Sequence, residues 1–211
     1  MGSVPVPIDL IVPMKPPLLG KSRLRGAVSD ALHPALVLAL ASDTLAAAAG
    51  VVRRVLVVAA DPAAVASLAE FGVEIVGEDR AGDLNAALRQ GEALLRADDP
   101  DAVLGALQAD LPALRPEELA GAIAEASGRR AFVADWEGTG TTLLLSAPGA
   151  ALEPRFGPGS ARAHAGTGAI ALGLTAPGLR RDVDTAGDLA HAGGLGLGKR
   201  TGELLCEGSA A

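Results

Sequence analysis

Four short apolar runs punctuate the first half of the chain, each followed by a segment of helical spacing, and no other feature restricts the fold as much. Ile8 to Val12 stops at Pro13, Val55 to Ala59 precedes Asp61-Pro62, and Val73 to Val76 and Val103 to Ala109 follow the same form. Runs of this length bounded by turn residues read as buried strands. Between them, Leu36, Val37, Leu40, Thr44, Leu45 and Ala48 recur at helical spacing from Asp30 to Ala49, with Gly50 as the stop signal. Pro34 is tolerated only in a first turn, which puts the helix entry at Asp30 or at Leu32 and His33. Asp61-Pro62 opens a short helix to Phe71. Asp83 to Ala97 carries Leu84, Ala87, Leu88, Gly91, Leu94 and Leu95 on one face, and Pro116 heads a helix to Ser127. The alternation predicts an α/β fold, a mostly parallel mixed sheet flanked by helices on both faces. Right-handed crossovers then gather the strand ends and their loops on one edge.

The last third departs from this rhythm. Ala131 to Asp135 and Thr141 to Ser146 flank Glu137-Gly138-Thr139-Gly140, which predicts a hairpin, and Ala169 to Leu174 reads as another strand. A small antiparallel addition to the parallel core is expected. Residues 1–198 read as one domain and 199–211 as a flexible C-terminal tail. Hydrophobic residues make up 49% of the 211, enough for a real core, but aromatics are only 2%, so that core rests on Ala, Val and Leu. Few rings, a net charge of -7 and a pI near 4.9 argue against nucleic acid as a partner. The single Cys206 excludes an internal disulfide and a multi-cysteine zinc cluster. The start has no basic segment before a long apolar run, and the apolar stretch from Ala31 to Val52 is interrupted by His33, Pro34 and Asp43. No membrane association and a cytoplasmic location are expected.

Several constellations carry chemistry. The loop after the first strand holds Lys15, Gly20, Lys21, Ser22 and Arg23. Glycine lets backbone N–H groups approach a phosphate, and the cations supply charge-assisted bonds. It is not a Walker loop, since Lys15 stands where that motif needs glycine five positions before Gly20. The alternative is a solvated connection. Asp110, in Ala109-Asp110-Leu111-Pro112, ends a strand at the edge where ligands of open sheets bind, or is only a turn residue. In Asp182-Val183-Asp184, extended spacing turns both carboxylates to one side, a fit to Mg²⁺ with substrate phosphates; otherwise Asp184 caps the next helix. Phe156-Gly157-Pro158-Gly159-Ser160 is a glycine-rich turn into a helix, suited to an anion or simply requiring positive φ. Thr139-Gly140-Thr141-Thr142 offers hydroxyls. His164 either reaches an anion or is a satisfied surface side chain.

In chain order these segments resemble the 2-phospho-L-lactate/phosphoenolpyruvate guanylyltransferase family of deazaflavin coenzyme F-420 biosynthesis. The resemblance rests on Lys15…Gly20-Lys21-Ser22-Arg23-Leu24, Gln108-Ala109-Asp110-Leu111-Pro112, Gly138-Thr139-Gly140-Thr141-Thr142, Arg155-Phe156-Gly157-Pro158-Gly159-Ser160-Ala161 with His164, and Asp182-Val183-Asp184-Thr185. It implies a nucleotidyltransferase fold of the glycosyltransferase-A-like kind, GTP as donor and a small phosphorylated three-carbon acid as acceptor. It further implies that Asp110, Asp182 and Asp184 hold Mg²⁺ and that Thr142, Gly157 and Ser160 contact the acceptor. By the same likeness Lys15, Gly20, Lys21 and Arg23 meet the nucleotide, with Lys21 also serving catalysis. The Ala-, Arg- and Gly-rich composition leans toward phosphoenolpyruvate as acceptor.

The chemistry so implied needs no general base, because a phosphate nucleophile is already ionised at neutral pH. It needs two anions brought together, and unit charges ~4 Å apart repel by about 4 kcal/mol at an effective dielectric of ~20. Cations reverse that sign. Two other readings stand beside this one: a nucleotidyltransferase with another acceptor, such as a molybdopterin or a sugar phosphate, and a non-catalytic nucleotide-binding regulator. A monomer or homodimer is expected.

Overall fold

A computed structural model describes residues 7–80 and 82–208. Seven strands form one sheet: β1 (Ile8–Met14), β2 (Arg54–Ala59), β3 (Glu74–Gly77), β4 (Val103–Leu107), β5 (Ala131–Ala134), β6 (Thr141–Leu145) and β7 (Ile170–Ala171). Their order is β3-β2-β1-β4-β6-β5-β7. β6 alone runs against the rest, pairing antiparallel with β4 on one side and with β5 on the other. The expected hairpin is therefore present, and it is the antiparallel addition to a parallel core. The helices are α1 (His33–Ala49), α2 (Leu84–Asp98), α3 (Pro116–Ala126), α4 (Ser160–Gly166), α5 (Pro177–Arg180), α6 (Ala186–Leu195) and α7 (Lys199–Gly208).

The core follows the period of two along β1. Leu10 and Val12 join Leu45, Val57, Leu107 and Leu119 on the face that packs α1 and α3, whereas Ile11 joins Leu56, Val58, Leu88, Leu95 and Leu104 under α2. Each fully buried Leu or Val contributes about 1.5–3 kcal/mol relative to exposure. With few rings available, close approach substitutes for bulk. A Cβ at Gly91 of α2 would lie 3.2 Å from Val58 Cγ2 and collide with Ile11, so glycine is what lets α2 settle onto β1 and β2.

Parallel register brings Met14 beside Ala59 at the ends of β1 and β2, and the end of β4 lies beside the start of β6 through Leu107 and Leu143. Gln108 N–H extends that pairing, donating to Thr142 O at 3.0 Å. The loops after β1, β2 and β4 and the turn before β6 thus share one edge. That edge is the candidate site.

Three elements differ from expectation. The short helix expected to end at Phe71 is present from Ala63, but it winds as 3-10. Only Ile170 and Ala171 of the last expected strand form β7 beside β5, with the Leu172 N–H adding a bond to Phe132 O at 2.9 Å. The third difference is the segment from Lys199, expected as a flexible tail. It is helix α7 as far as Gly208, residues 209–211 lying outside the described residues. Its first turn is held by Asp43, a buried carboxylate inside α1 that accepts N–H bonds from Arg200 and Thr201 at 2.9 Å each. A side chain at Gly198 would strike Asp43, so glycine permits the junction. Leu197, Leu204 and Leu205 pack with Leu36 and Leu40. No helix among the described residues is long and apolar enough to cross a membrane.

Replacing Asp43 by alanine removes a cap worth about 0.5–2 kcal/mol. Asp43→Ala should lower the melting temperature by roughly 1–8 °C and make the bonds after Lys199 and Arg200 susceptible to trypsin. In the parent protein those bonds should resist cleavage under the same conditions.

Candidate active site

The loop leaving β1 is folded tightly before it reaches its cations. Leu19 and Gly20 N–H groups both donate to Pro16 O at 2.9 Å, and the His33 imidazole Nε2 lies 2.9 Å from Gly20 O. Lys21 then adopts φ 55° and ψ 44°, a left-handed conformation that non-glycine residues seldom hold. The strain has a visible return. It directs the Lys21 ammonium inward, where it donates to Asp110 Oδ2 and, at 2.5 Å, to Asp184 Oδ1. Arg23 donates to the other oxygen of Asp184 at 2.7 Å.

The two carboxylates reach Lys21 from distant parts of the chain. Asp110 follows β4, and its neighbour Leu111 is anchored by an N–H bond to Thr44 Oγ1 at 2.9 Å. Asp110 O accepts the Val183 N–H at 3.0 Å, so the Asp182-Val183-Asp184 segment is pinned beside the end of β4. Val183 is fully buried beneath it. Asp184 does not cap the following helix. Thr185 does so, accepting the Asp188 N–H at 3.2 Å, while Asp188 accepts the Thr185 N–H at 2.8 Å. The Thr185-to-Asp188 spacing was the sequence signal for that cap.

Charge is balanced narrowly here. Burial, with Asp110 and Asp184 nearby, pushes the Asp182 carboxyl up to about 7 despite Lys21. Burial also works against ionised Asp184, but Lys21, Arg23 and Lys15 outweigh it and hold that carboxyl below the usual range. Lys21 loses hydration by burial, and the two aspartates more than compensate, raising its pKa and keeping it charged. A cleft of about 310 Å³ opens over these groups, lined among others by Lys15, Gly20, Lys21, Arg23, Asp110 and Asp184.

The three aspartates therefore converge on one region without closing a metal cage. Among the described residues no group of three or more His, Cys, Asp or Glu side chains is arranged to hold a metal ion. Lys21 occupies the space between two of them. The donor chemistry nonetheless suits Mg²⁺, which takes one or two carboxylates together with substrate phosphates. Asp110 Oδ1 is buried without a hydrogen-bond partner, and Asp182 stands close enough to feel the charges of Asp110 and Asp184. The residues fit the ion.

The other two motifs form a single unit on the same edge. Ala161 N–H donates to Thr139 O at 3.1 Å, and Ser160 Oγ lies 3.2 Å from Thr141 Oγ1. Thr141 Oγ1 is in turn 2.9 Å from His164 Nδ1, and His164 Nε2 accepts the Arg155 N–H at 2.9 Å. His164 is fully buried rather than at the surface. Because Nε2 accepts from a backbone amide, the neutral ring carries its proton on Nδ1. Burial, with Arg130 and Arg155 nearby, depresses its pKa to about 4. Asn85, at the start of α2, clamps Phe156 by donating to its O at 2.9 Å and accepting its N–H at 2.8 Å.

Of the expected acceptor residues, Thr142 is fully buried with its hydroxyl 3.5 Å from Val133 O, and Ser160 is 2% exposed. Gly157 has φ 139°, reserved for glycine. The Ser160 N–H, which a helix start often leaves free for an anion, donates to Gly157 O at 3.1 Å. Thr141, one of the hydroxyls of the Thr139-to-Thr142 motif, is the link between Ser160 and His164, and Asn85 is a structural partner from outside the motifs.

A family model described as "Guanylyl transferase CofC like" matches residues 8–174. The chain belongs to this guanylyl transferase family. Among relatives, the phosphoenolpyruvate guanylyltransferase of Streptomyces scabiei is 52% identical over 200 residues, covering 91% of this chain and 93% of its own. That of Salinispora arenicola is 50% identical, covering 96% and 94% respectively. The fold is likewise shared with solved nucleotidyltransferases. A nucleotidyl transferase from Methanothermobacter superposes with a TM-score of 0.58 at 18% identity, covering 89% of this chain and 97% of the other. A 4-diphosphocytidyl-2C-methyl-D-erythritol synthase gives 0.59 at 16%, covering 90% and 98%. Within the guanylyl transferase frame, the site lies where the parallel strands end.

His164 supplies a pH test of this unit. Its folded pKa lies below the unfolded value of 6.5, so its stabilisation is complete above pH 6.5 and disappears as pH falls toward 4. His164→Asn should be less stable than the parent at pH 7.5 by about 1–3 kcal/mol for the unpaired buried groups it leaves. That gap, followed by thermal melts, should shrink steadily between pH 6.5 and 4.

Proposed function

We propose that this guanylyl transferase joins GMP from GTP to phosphoenolpyruvate, releasing pyrophosphate, as a step in making deazaflavin coenzyme F-420. The observation that carries the reading is the Lys21 ammonium held between Asp110 and Asp184 at the edge of the sheet. A cation shared by two carboxylates from distant segments marks a place built for exchanging charge with anionic ligands. Relatives that cover most of this chain at about half identity are named for the same reaction.

In the proposed step an acceptor phosphate oxygen bonds to the α-phosphorus as the bond to the β-phosphate oxygen breaks, and the electron pair leaves on pyrophosphate. Lys15, Gly20, Lys21 and Arg23 meet the nucleotide, Lys21 exchanging a carboxylate for a phosphate oxygen and offsetting charge on the leaving group. Mg²⁺ held by Asp110, Asp182 and Asp184 would supply positive charge where two phosphates meet. Thr142, Gly157 and Ser160 bound the acceptor in this reading. No side chain has to remove a proton, which agrees with His164 and His33 both being engaged in the fold. The reading places the protein in the cytoplasm as a monomer or homodimer.

Asp184→Ala tests the assignment with GTP, Mg²⁺ and phosphoenolpyruvate. Turnover should fall at least ~10²-fold, as for loss of a group acting on transition-state charge, while the melting temperature stays near that of the parent. Near-normal pyrophosphate release from the folded variant would sink it. Product mass with phosphoenolpyruvate, 2-phospho-L-lactate and 3-phosphoglycerate identifies the acceptor.

A further inference from the structure

Beside the cleft lies a second recess, formed where β3 passes into α2. It measures about 280 Å³ and is lined by Pro13, Met14, Ala60, Glu78, Gly82 and Leu84 among others. It shares Pro13, Met14, Lys15, Leu19 and Leu84 with the cleft over Lys21, so one ligand can occupy both. Recesses that take a whole ligand usually begin at roughly 300 Å³, so this one suits part of a molecule, such as a planar base. Its lining is mainly apolar, and Glu78 interrupts it.

Glu78 Oε2 is buried without a hydrogen-bond partner. A buried acceptor left unpaired costs about 1–3 kcal/mol, and more when charged. The backbone gives it little freedom to escape. Gln90, on α2, donates to Gly77 O at 2.7 Å and accepts the Asp79 N–H at 2.8 Å, gripping the residues on both sides. Glu78 N–H itself donates to Ala59 O at 3.0 Å. A carboxylate fixed in an apolar slot calls for a ligand edge with adjacent N–H donors.

We propose that Glu78 is the residue that selects guanine, its carboxylate accepting N1–H and N2–H while the ring lies in the slot. The inference rests on the guanylyl transfer proposed above and adds its base-reading residue. Guanine presents two neighbouring donors to a carboxylate. Adenine turns the lone pair of N1 toward it and is repelled. Hypoxanthine keeps N1–H but lacks the amino group. Gln90 is the positioning residue, because it fixes the loop without touching the base.

The test measures kcat/KM for GTP, ITP and ATP with the preferred acid in the parent and in Glu78→Gln, alongside calorimetric binding of GDP and IDP. The parent should favour GTP over ITP by about 10–100-fold, the worth of one hydrogen bond to a charged acceptor, and over ATP by more. Glu78→Gln should lose about 10–100-fold with GTP and bring the GTP-to-ITP ratio near one, with GDP and IDP binding equalised in parallel. Its melting temperature should stay near that of the parent, since Gln90 still holds Gly77 and Asp79. An active, folded variant that keeps the parent's GTP-to-ITP ratio overturns the assignment while leaving the transfer reaction intact. A parent that makes no guanylylated product from any of the three acids overturns the reaction itself, and this proposal with it.

Discussion

Three carboxylates and one ammonium share the edge of the sheet, and the fold at that edge depends on how their charges balance. Burial, with the carboxylates of Asp110 and Asp184 nearby, pushes that of Asp182 up to about 7 despite Lys21. Lys21 holds the arrangement together by bonding to two of them. Removing water from charged groups is costly, and the attraction between partners repays it only when their remaining bonds are also met. Here they are not all met, since Asp110 Oδ1 has no partner. A site tuned only for stability would not leave that oxygen bare. The proposed exchange of Lys21 for substrate and metal makes use of this incompleteness.

The surrounding fold supplies the rigidity that such a cluster requires. The Val183 N–H bond to Asp110 O makes the end of β4 and the approach to α6 one piece. Thr141, Ser160, His164 and Arg155 tie the turn before β6 to the start of α4, and Asn85 couples that unit to α2. The cleft is bounded by elements that brace one another across the strand order. Left-handed Lys21 is the one strained position within it, and strain of this kind persists where neighbours determine the conformation.

Much of this was legible in the chain because it is local. Apolar runs between turn residues gave the strands of the parallel core, and the edge position of Lys21 and Asp110 followed from right-handed crossovers. In Asp182-Val183-Asp184, Val183 is fully buried and the aspartates on either side both lie near Lys21. What escaped depends on contacts between distant segments. Asp43 reads as a polar interruption of α1 until α7 arrives to use its carboxylate. His164 reads as a surface residue until Phe132 and Phe156 are found beside its ring, at centroid distances of 6.1 and 5.0 Å. Glu78 resembles any loop acid until the slot around it is seen.

Composition explains why so few side chains had to do so much. With aromatics at 2% of the chain, the sheet and helices close mainly through Ala, Val, Leu and well-placed glycines, and the buried ring of Phe132 is packed beside His164. Recognition is left to the rim, where backbone and charge are available. A phosphate group can be met there by lysine, arginine and a tight loop, because it demands charge more than shape. A base demands directional hydrogen bonds, and these need a fixed acceptor. The clamp that Gln90 places around Glu78 supplies fixity without bulk. In this reading one sheet edge separates two tasks: the strained Lys21 loop responds to charge, and the braced loop after β3 responds to the identity of the base.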